Sequence, residues 1–507
     1  MIRKNIILAA VVAVVLAAAY PASSWYFGRQ IETMLRGQVD ARVAAQSFVK
    51  LVRHDYERGV FSAEETITFE IPFAPWPRKP PVPTAPEAAE SGDGAKSSEA
   101  PQGVPPTSQP VPKPLPSLRF TLKNAIRHGP WLDSGVFGAA SATTVVEFDE
   151  TIQKKALEAF GGKPPLEIRT LYDFAGVGRG TAISPRFSIA LPGGTEAENA
   201  TLSGDGLEVS GEFTQDMERY SGRGNAPRFE LLLGDGSRLK WTGLGIEIEQ
   251  QRLFPDEPLF YIGTRRFSLD ALEIEPRQPR DRAKPPKVTL KALKFDDRLS
   301  ASGEFVDLVA RIGAAGFTIG EQDYGPVACD ISLKHLRARA LASLNRKLMD
   351  LYGRPETLQD RERLSRALEP MKDEIIGLLL DDSVLSIDRI AFHMPGGEAN
   401  FSVSASLAGA DAKDFDSPAA LIEKLEATAE LALPASLVEM LTQAGEAKDE
   451  EGALNYRKLI VDEMIARLVR HGYVTDDNGV LKSRLVLKAG RRLQLNGKPF
   501  DPMALLG

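Results

Sequence analysis

The sequence predicts an α+β fold: an N-terminal transmembrane helix, then a large, mostly antiparallel β-sheet region, with a helix-rich second half packed on or between strands. Three observations lead to this prediction. Residues 6–27 carry no charge. Apolar and polar residues alternate through most of 117–275, with glycine-rich turns between the runs. After residue 331, apolar residues recur every three or four positions, which is the spacing of one helix face.

The uncharged run is long enough to span a bilayer, since its 22 residues at ~1.5 Å each cover a hydrocarbon core of ~30 Å. Arg3 and Lys4 precede it, which predicts a short cytoplasmic N-terminus and a bacterial inner-membrane, single-pass protein with the bulk of its chain in the periplasm. The predicted anchor residues are Ile6 and Leu16 in the membrane and Trp25, Tyr26 and Phe27 as an interfacial aromatic belt.

A cleaved signal peptide is the alternative interpretation of the same segment. Three alanines at 17–19 follow an apolar run of suitable length, which is typical of a cleavage site. Cleavage there would remove residues 1–19. Under both interpretations the rest of the chain is exported.

Composition divides the chain into further regions. Residues 1–28 form the anchor and 29–74 a juxtamembrane helix and a first strand, in which Ile67, Phe69 and Ile71 alternate with polar residues. Residues 75–116 contain 13 prolines. The segment offers too little apolar surface to offset the entropy of ordering it, so a disordered insertion is predicted. An antiparallel β region at 117–330 and a mixed helical and β region at 331–507, ending in strands, complete the chain.

Local signals predict individual elements. Glycine–aspartate–glycine triplets at 204–206 and 234–236 predict tight hairpin turns, and a helix is predicted around 149–160. In the second half, two stripes of leucines predict helices, the second of them kinked at Pro370 because proline removes a helical hydrogen bond. Ser417 before a proline predicts the N-terminus of another helix.

Composition also excludes several function classes. The net charge is −7, and no dense basic block is present, which argues against nucleic-acid binding. The single cysteine, Cys329, excludes an intramolecular disulfide and a multi-cysteine metal site. His128, Asp133 and Ser134 are triad residue types, but triads converge in space rather than in sequence. No catalytic residue, cofactor or metal ligand is therefore predicted.

Four runs carry a resemblance to a known family: SWYFG at 24–28, YERGVFS at 56–62, HGPW at 128–131 and LQLNGK at 493–498. In this combination and order, the chain resembles the YdgA-like family of bacterial inner-membrane-anchored proteins of unknown function. The resemblance implies a protein that faces the periplasm, and it supplies no activity. The proline-rich insertion departs from the family pattern.

One turn is a candidate functional element. His128, Gly129 and Pro130 predict a turn at the end of a strand. The same turn would be functional if its imidazole were exposed, because an exposed histidine can bind a ligand or sense pH.

Three functions remain open from the sequence. The first is a non-enzymatic periplasmic protein that binds a lipid or another apolar ligand through a β-sheet groove. The second is a structural or assembly factor that binds envelope proteins through the helices of 333–380. A second copy of the chain, forming a homo-oligomer, is a further candidate partner. The third is an unrecognised hydrolase. The membrane is the partner that the anchor predicts.

Overall fold

The computed structural model describes residues 2–46, 49–72, 117–132, 135–191, 199–277, 285–354, 357, 361–394, 396–438 and 451–501. For residues 2–18, 42, 44, 45, 151, 361 and 451–458 it describes the backbone alone. The proline-rich segment at 75–116 lies outside the described residues.

A long N-terminal helix, α1 (Ile2–Ala45), leads into the sheet. The strands of the first half are β1 (Lys50–Arg58), β2 (Ser62–Pro72), β3 (Ser117–His128), β4 (Ala140–Phe148), β5 (Glu167–Tyr172), β6 (Gly178–Ser184), β7 (Phe187–Leu191), β8 (Ala200–Gly204), β9 (Leu207–Phe213), β10 (Arg219–Leu233), β11 (Arg238–Arg252) and β12 (Tyr261–Glu275). Helix α2 (Glu150–Ala159) interrupts them, as predicted.

The strands of the second half are β13 (Val288–Ser302), β14 (Phe305–Ala314), β15 (Gly316–Ile319), β16 (Gln322–Tyr324), β17 (Val327–Arg337), β18 (Val384–Met394), β19 (Gly397–Leu407), β20 (Leu425–Pro434), β21 (Thr475–Asp477), β22 (Val480–Lys488), β23 (Arg492–Leu495) and β24 (Lys498–Pro499). The helices there are α3 (Ala338–Tyr352), α4 (Arg361–Leu368), α5 (Lys372–Leu379), α6 (Pro418–Lys424) and α7 (Glu451–Arg470).

These strands form one antiparallel sheet in which spatial neighbours are close in sequence. The main order is β1-β2-β3-β4-β5-β6-β9-β10-β11-β12-β13-β14-β17-β18-β19-β20-β22-β23, and the shorter strands extend this series. Most connections are therefore hairpins, which need only short turns. Among the described residues, helices pack on β1, β3, β4, β7 and β17, so one covered face accounts for the alternation at those strands.

One predicted turn has a different role. The triplet 234–236 joins β10 to β11 as a hairpin, as predicted. The triplet 204–206 does not form a hairpin, because β8 and β9 both pair with β10 and follow one another along its edge. Gly206 has φ of +109°, and a Cβ there would lie 2.8 Å from the carbonyl oxygen of Ser184. The glycine thus allows a kink within one long strand line.

The predicted fold class was wrong in two respects. The first concerns the balance of elements: strands outweigh helices among the described residues, and eight strands, β17–β24, run through or into the half predicted to be helix-rich. The leucine stripes do form α3–α5, and a 3-10 turn at Glu369–Met371 separates α4 from α5 near Pro370. The strands between the helices carry many serines and alanines, so their alternation is weak in the sequence.

The second correction concerns the predicted transmembrane helix. Within the described part of the chain, no helix has both the length and the apolar character that crossing a membrane requires. The helix that contains the uncharged run is 44 residues long. From Ser24 onward it packs on the sheet, so the end of the run contacts protein.

Candidate functional site: a cavity beneath the N-terminal helix

Helix α1 lies across one face of the first strands. Ile31 and Met34 on α1 are buried in a cluster with Ala63 of β2, Ile126 of β3 and Tyr172 of β5. Because residues three apart lie on one side of a helix, this spacing directs both α1 side chains at the sheet. The cluster holds the helix over one end of the strands, and beyond it α1 and the strands line a common cavity.

Beyond this cluster, β2 and β3 present an apolar stripe on the same face. The register pairs Ile67 with Leu122 and Phe69 with Phe120. Directly paired residues point to the same side of a sheet, so these four side chains form a continuous surface. The rings of Phe69 and Phe120 lie 5.7 Å apart between centroids.

The apolar stripe forms one wall of a cavity of about 600 Å³. Helix α1 forms a second wall, and the connections around β10–β12 form the third. Lining residues from these walls include Leu35, Val39 and Val43 of α1, and Met217, Tyr220, Leu259 and Tyr261 opposite. This volume lies within the range of about 300–1,000 Å³ that is usual for sites binding one small molecule.

A buried carboxylate interrupts the apolar stripe. Glu65 is 1% exposed. His54 Nε2 donates to its Oε1 at 2.8 Å, and Asn124 Nδ2 donates to its Oε2 at 2.6 Å. The Oδ1 atom of Asn124 is buried and has no hydrogen-bond partner among the described residues. A hydroxyl or amide donor of a ligand would satisfy this atom if it reached it.

Tyr56 borders this polar group. Burial, and then the negative charge of Glu65, raise the pKa of the Tyr56 hydroxyl, so the group stays protonated. Its oxygen is buried and finds no hydrogen-bond partner in the described part of the chain. The guanidinium of Arg36 lies 5.6 Å from the ring centroid, which fixes the tyrosine beneath α1.

The opposite wall contains a second open polar atom. Arg252 ends β11, and its guanidinium lies 5.9 Å from the ring centroid of Tyr261. The hydroxyl of Tyr261 donates to the main-chain oxygen of Met217 at 3.0 Å. The Nε atom of Arg252 is buried and is not paired with any residue that the structure describes. Mostly apolar walls with a few open polar atoms are the usual chemistry of a small-molecule site.

A close contact fixes α1 over the sheet. The hydroxyl of Ser24 donates to the main-chain oxygens of Val60 and His128, at 3.0 and 3.2 Å. One turn later, Gly28 faces the ring of His128, and a Cβ at position 28 would lie 2.5 Å from Nδ1. The glycine thus lets the helix approach the histidine closely.

His128 is 2% exposed. Neither ring nitrogen has a hydrogen-bond partner within the described residues. Burial lowers the pKa of His128, so the imidazole is neutral at pH 7. The imidazole is therefore a packing element under α1 and not the exposed group that a functional turn would need.

The rest of the predicted turn is defined by its backbone. The amide of Gly129 donates to the oxygen of Ala139 at 2.7 Å, and Gly138 N donates to Pro130 O at 3.2 Å. A Cβ at position 129 would lie 1.8 Å from the oxygen of Gly138. Only glycine therefore fits at position 129.

The predicted anchor residues separate into two groups. The side chains of Ile6 and Leu16 lie outside the described residues. Trp25 and Tyr26 are 45% and 53% exposed. Phe27 packs on Phe174 of the β5–β6 turn, with centroids 5.1 Å apart.

The side-chain types that the sequence offered for chemistry are separated in the described part of the chain. Within that part, no three His, Cys, Asp or Glu side chains are grouped as a metal site would need. Cys329 is a half-buried free thiol in β17. Asp133 and Ser134, the triad types near His128, lie outside the described residues.

Comparison with known proteins identifies a family. A family model described as "Bacterial protein of unknown function (DUF945)" matches residues 2–503. The chain belongs to this family. No curated protein and no solved structure matches the chain.

The match confirms the prediction of a bacterial family of unknown function along the whole chain. The finer YdgA-like name stays a prediction. Three of the four runs that carried the resemblance meet in space, since Ser24 contacts both Val60 and His128.

Sequence analysis missed the polar members of the cavity wall, Glu65, Asn124 and Arg252. For Glu65 a signal existed, because it falls in phase with Ile67, Phe69 and Ile71 on the apolar face of β2. A charged residue in the apolar phase of a strand indicates either a buried partner or a site. Arg252 carried no comparable signal, since it is brought to the cavity by strands distant in sequence.

Proposed function

We propose that the protein is a non-enzymatic binding protein that holds a lipid chain, or another elongated apolar molecule, in the cavity beneath α1. One observation supports this most strongly. The apolar stripe of β2 and β3 is not filled by the helix above it and faces a space of about 600 Å³. Among the described residues, Phe69, Phe120 and Leu122 of this stripe are half-buried, and covering their exposed part with a ligand would be favourable by about 25 cal/mol per Å².

The polar atoms of the walls agree with an amphipathic ligand. Asn124 Oδ1 accepts from a hydroxyl or amide, and Arg252 Nε donates to an oxygen. Leaving such atoms unpaired in a buried place is costly, about 1–3 kcal/mol each. A ligand with an apolar body and a polar end would satisfy them.

We further propose that this binding takes place at the bacterial envelope, with the bulk of the chain in the periplasm. The sequence supports this through a basic start, an apolar run and three alanines at 17–19, a pattern typical of an export signal. Fusion of the C-terminus to a reporter enzyme that is active only after export tests the location. Reporter activity is expected, and a reporter active only in the cytoplasm would contradict it.

A binding titration tests the proposed function. The full chain is purified and titrated with a fluorescent fatty acid, whose emission rises in an apolar site. The Ile71→Trp variant is expected to bind more weakly, because Ile71 lines the cavity and the larger side chain narrows it. Mass spectrometry of molecules that co-purify with the wild-type chain provides an independent readout.

The matched control is Ile183→Trp. Ile183 lies on β6 and is 46% exposed, so the same substitution adds the same bulk outside the cavity. Binding by this variant should equal that of the wild type. Equal binding by both variants would contradict the cavity as the site, and absence of binding and of co-purified lipid in the wild type would contradict the function.

An assembly factor is the second candidate function. Helix α7 supports it, since Leu459, Ile460 and Met464 are 66%, 51% and 44% exposed. Large apolar side chains grouped on a helix mark interaction surfaces. Cross-linking from position 459 in cells is expected to capture an envelope protein, and an uncross-linked chain would contradict this candidate.

A further inference from the structure

Three connections at one end of the sheet display aromatic side chains to solvent. The β1–β2 turn carries Phe61, the β3–β4 connection carries Trp131 and Phe137, and the β5–β6 turn carries Phe174. Their exposed fractions are 45%, 53%, 62% and 50%. Aromatic side chains normally bury most of their surface, so four exposed rings at one end of the sheet need an explanation.

These rings surround α1 where the helix reaches the sheet. Tyr20 stacks on Phe61 with centroids 5.6 Å apart, and its hydroxyl donates to the main-chain oxygen of Trp131 at 3.0 Å. Trp131 packs edge-on against Phe137 at 4.5 Å. On the other side, Phe27 contacts Phe174. We name this set the aromatic collar; its members are Tyr20, Trp25, Tyr26, Phe61, Trp131, Phe137 and Phe174.

Basic side chains accompany the collar. The guanidinium groups of Arg58 and Arg29 lie 5.2 and 6.0 Å from the ring centroid of Trp25. Two acidic groups nearby have local partners: Glu32 pairs with Arg58 at 3.1 Å, and Asp173 accepts the amides of Ala175 and Val177.

We infer that the aromatic collar seats this end of the protein on a lipid bilayer surface. Tryptophan and tyrosine concentrate at membrane interfaces because each ring has an apolar body and a polar atom. Arginines at the same level suit anionic headgroups. A ring around a helix, built from four separate segments, matches a planar partner rather than a groove for one peptide. The uncharged residues 6–27 lead directly into it.

Site-directed spin labelling tests this inference on the full chain. In a Cys329→Ser background, which removes the only native thiol, nitroxides are attached after Phe137→Cys and Phe174→Cys. The control is Leu459→Cys on α7, which is 66% exposed and far along the chain. Vesicles contain phosphatidylcholine and phosphatidylglycerol.

On vesicle-bound protein, the two collar labels should become accessible to dissolved oxygen and lose access to a water-soluble nickel complex. The label at 459 should keep its access to nickel. Collar labels that stay accessible to water while the protein is bound would overturn the inference and leave a protein partner as the occupant.

Affinity provides the second readout. Phe137→Gln combined with Phe174→Gln should weaken vesicle binding about tenfold, because two rings no longer enter the interface. Leu459→Gln should leave it unchanged, and equal binding by all variants would count against the collar. Ile71→Trp, which narrows the cavity, should bind vesicles normally, so a failure of this inference and a failure of the proposed function are distinguishable.

Discussion

Two regions of the protein show a helix lying on the same sheet, with different results. Over β1–β5, α1 buries one cluster around Ile31 and leaves a cavity beside it. Over β14 and β17, the helices α3 and α5 pack leucines onto a second cluster around Val306 and Leu336. The sheet is alike in both places, so the side chains that the helices present decide whether space remains.

The second region is also tied together by polar contacts. Lys347 of α3 pairs with Glu374 of α5 at 2.6 Å, and Ser343 donates to the same carboxylate at 3.0 Å. In the first region, α1 passes from Leu35 to shorter side chains, Val39, Ala41 and Val43, where it lines the cavity. The open space beside α1 therefore follows from short residues along that helix.

The largest expected difference comes from removing a leucine in each region. Leu336→Ala should lower the free energy of unfolding by about 3 kcal/mol, because Leu336 is 3% exposed and its removal creates a new void. Leu35→Ala should cost only about 1 kcal/mol, since Leu35 already borders empty space and loses fewer contacts. Chemical denaturation measures both. Equal losses would contradict the difference in packing.

The next effect tests the close approach of α1 to the sheet. Gly28→Ala should destabilise the protein by about 2 kcal/mol, because its Cβ would overlap the ring of His128. Alanine normally stabilises a helix relative to glycine by up to about 1 kcal/mol.

Gly37→Ala on the same helix is the control, since a Cβ there meets no atom within 4 Å. It should raise the melting temperature while Gly28→Ala lowers it. A rise in both variants would show that α1 does not rest on His128.

A smaller effect depends on pH. Burial holds the pKa of His128 below its usual value, so the unfolded chain takes up a proton at a higher pH than the folded one. His128 therefore contributes its full stability above about pH 6.5, and this contribution falls as pH decreases, by at most about 1.4 kcal/mol per pH unit. Denaturation of the wild type and of His128→Leu between pH 5 and 7.5 isolates the contribution of His128 to the pH dependence of stability.

The difference between the two pH curves is the informative quantity, because other histidines cancel in it. We expect the variant to be less sensitive to acid in this interval. Parallel curves would show that His128 is not buried uncharged beneath α1.

The smallest effect is expected at the surface of the second region. Arg339 forms an ion pair with Asp256 at 2.7 Å, and both side chains are more than half exposed. The Arg339 guanidinium pulls the pKa of Asp256 below its ordinary value, yet exposed pairs are screened by water and salt. Asp256→Asn should leave the melting temperature unchanged within error, and a clear drop would mean that this pair holds the helices to the sheet.

Sequence patterns predicted the elements of both regions well where a face was strongly apolar. Ile67, Phe69 and Ile71 indicated β2, and the leucine stripes indicated α3–α5. The patterns were weak where alternation depends on alanines, as in β20. They failed where a glycine marks a kink within a strand line rather than a turn, as at Gly206.

The candidate site was less accessible to sequence reasoning than the fold. The cavity is the space between α1, β2 and the connections around β10–β12, which are distant in sequence. No local sequence pattern predicts how far apart these elements lie in the fold. Of the polar residues of the wall, only Glu65 could be predicted from the sequence, because it places a charge on the apolar face of a strand. The contact of Gly28 with His128 joins residues 100 positions apart and needed the structure.

Photolabelling tests the central claim, that the cavity beneath α1 binds an apolar chain, most directly. The full chain is incubated with a fatty acid that carries a photoreactive diazirine, irradiated, digested and sequenced by mass spectrometry. We expect labels on the cavity walls, at residues such as Phe69, Phe120 and Met217, and their reduction in Ile71→Trp but not in Ile183→Trp. Labels spread over the exposed surface, or unchanged in Ile71→Trp, would contradict the claim.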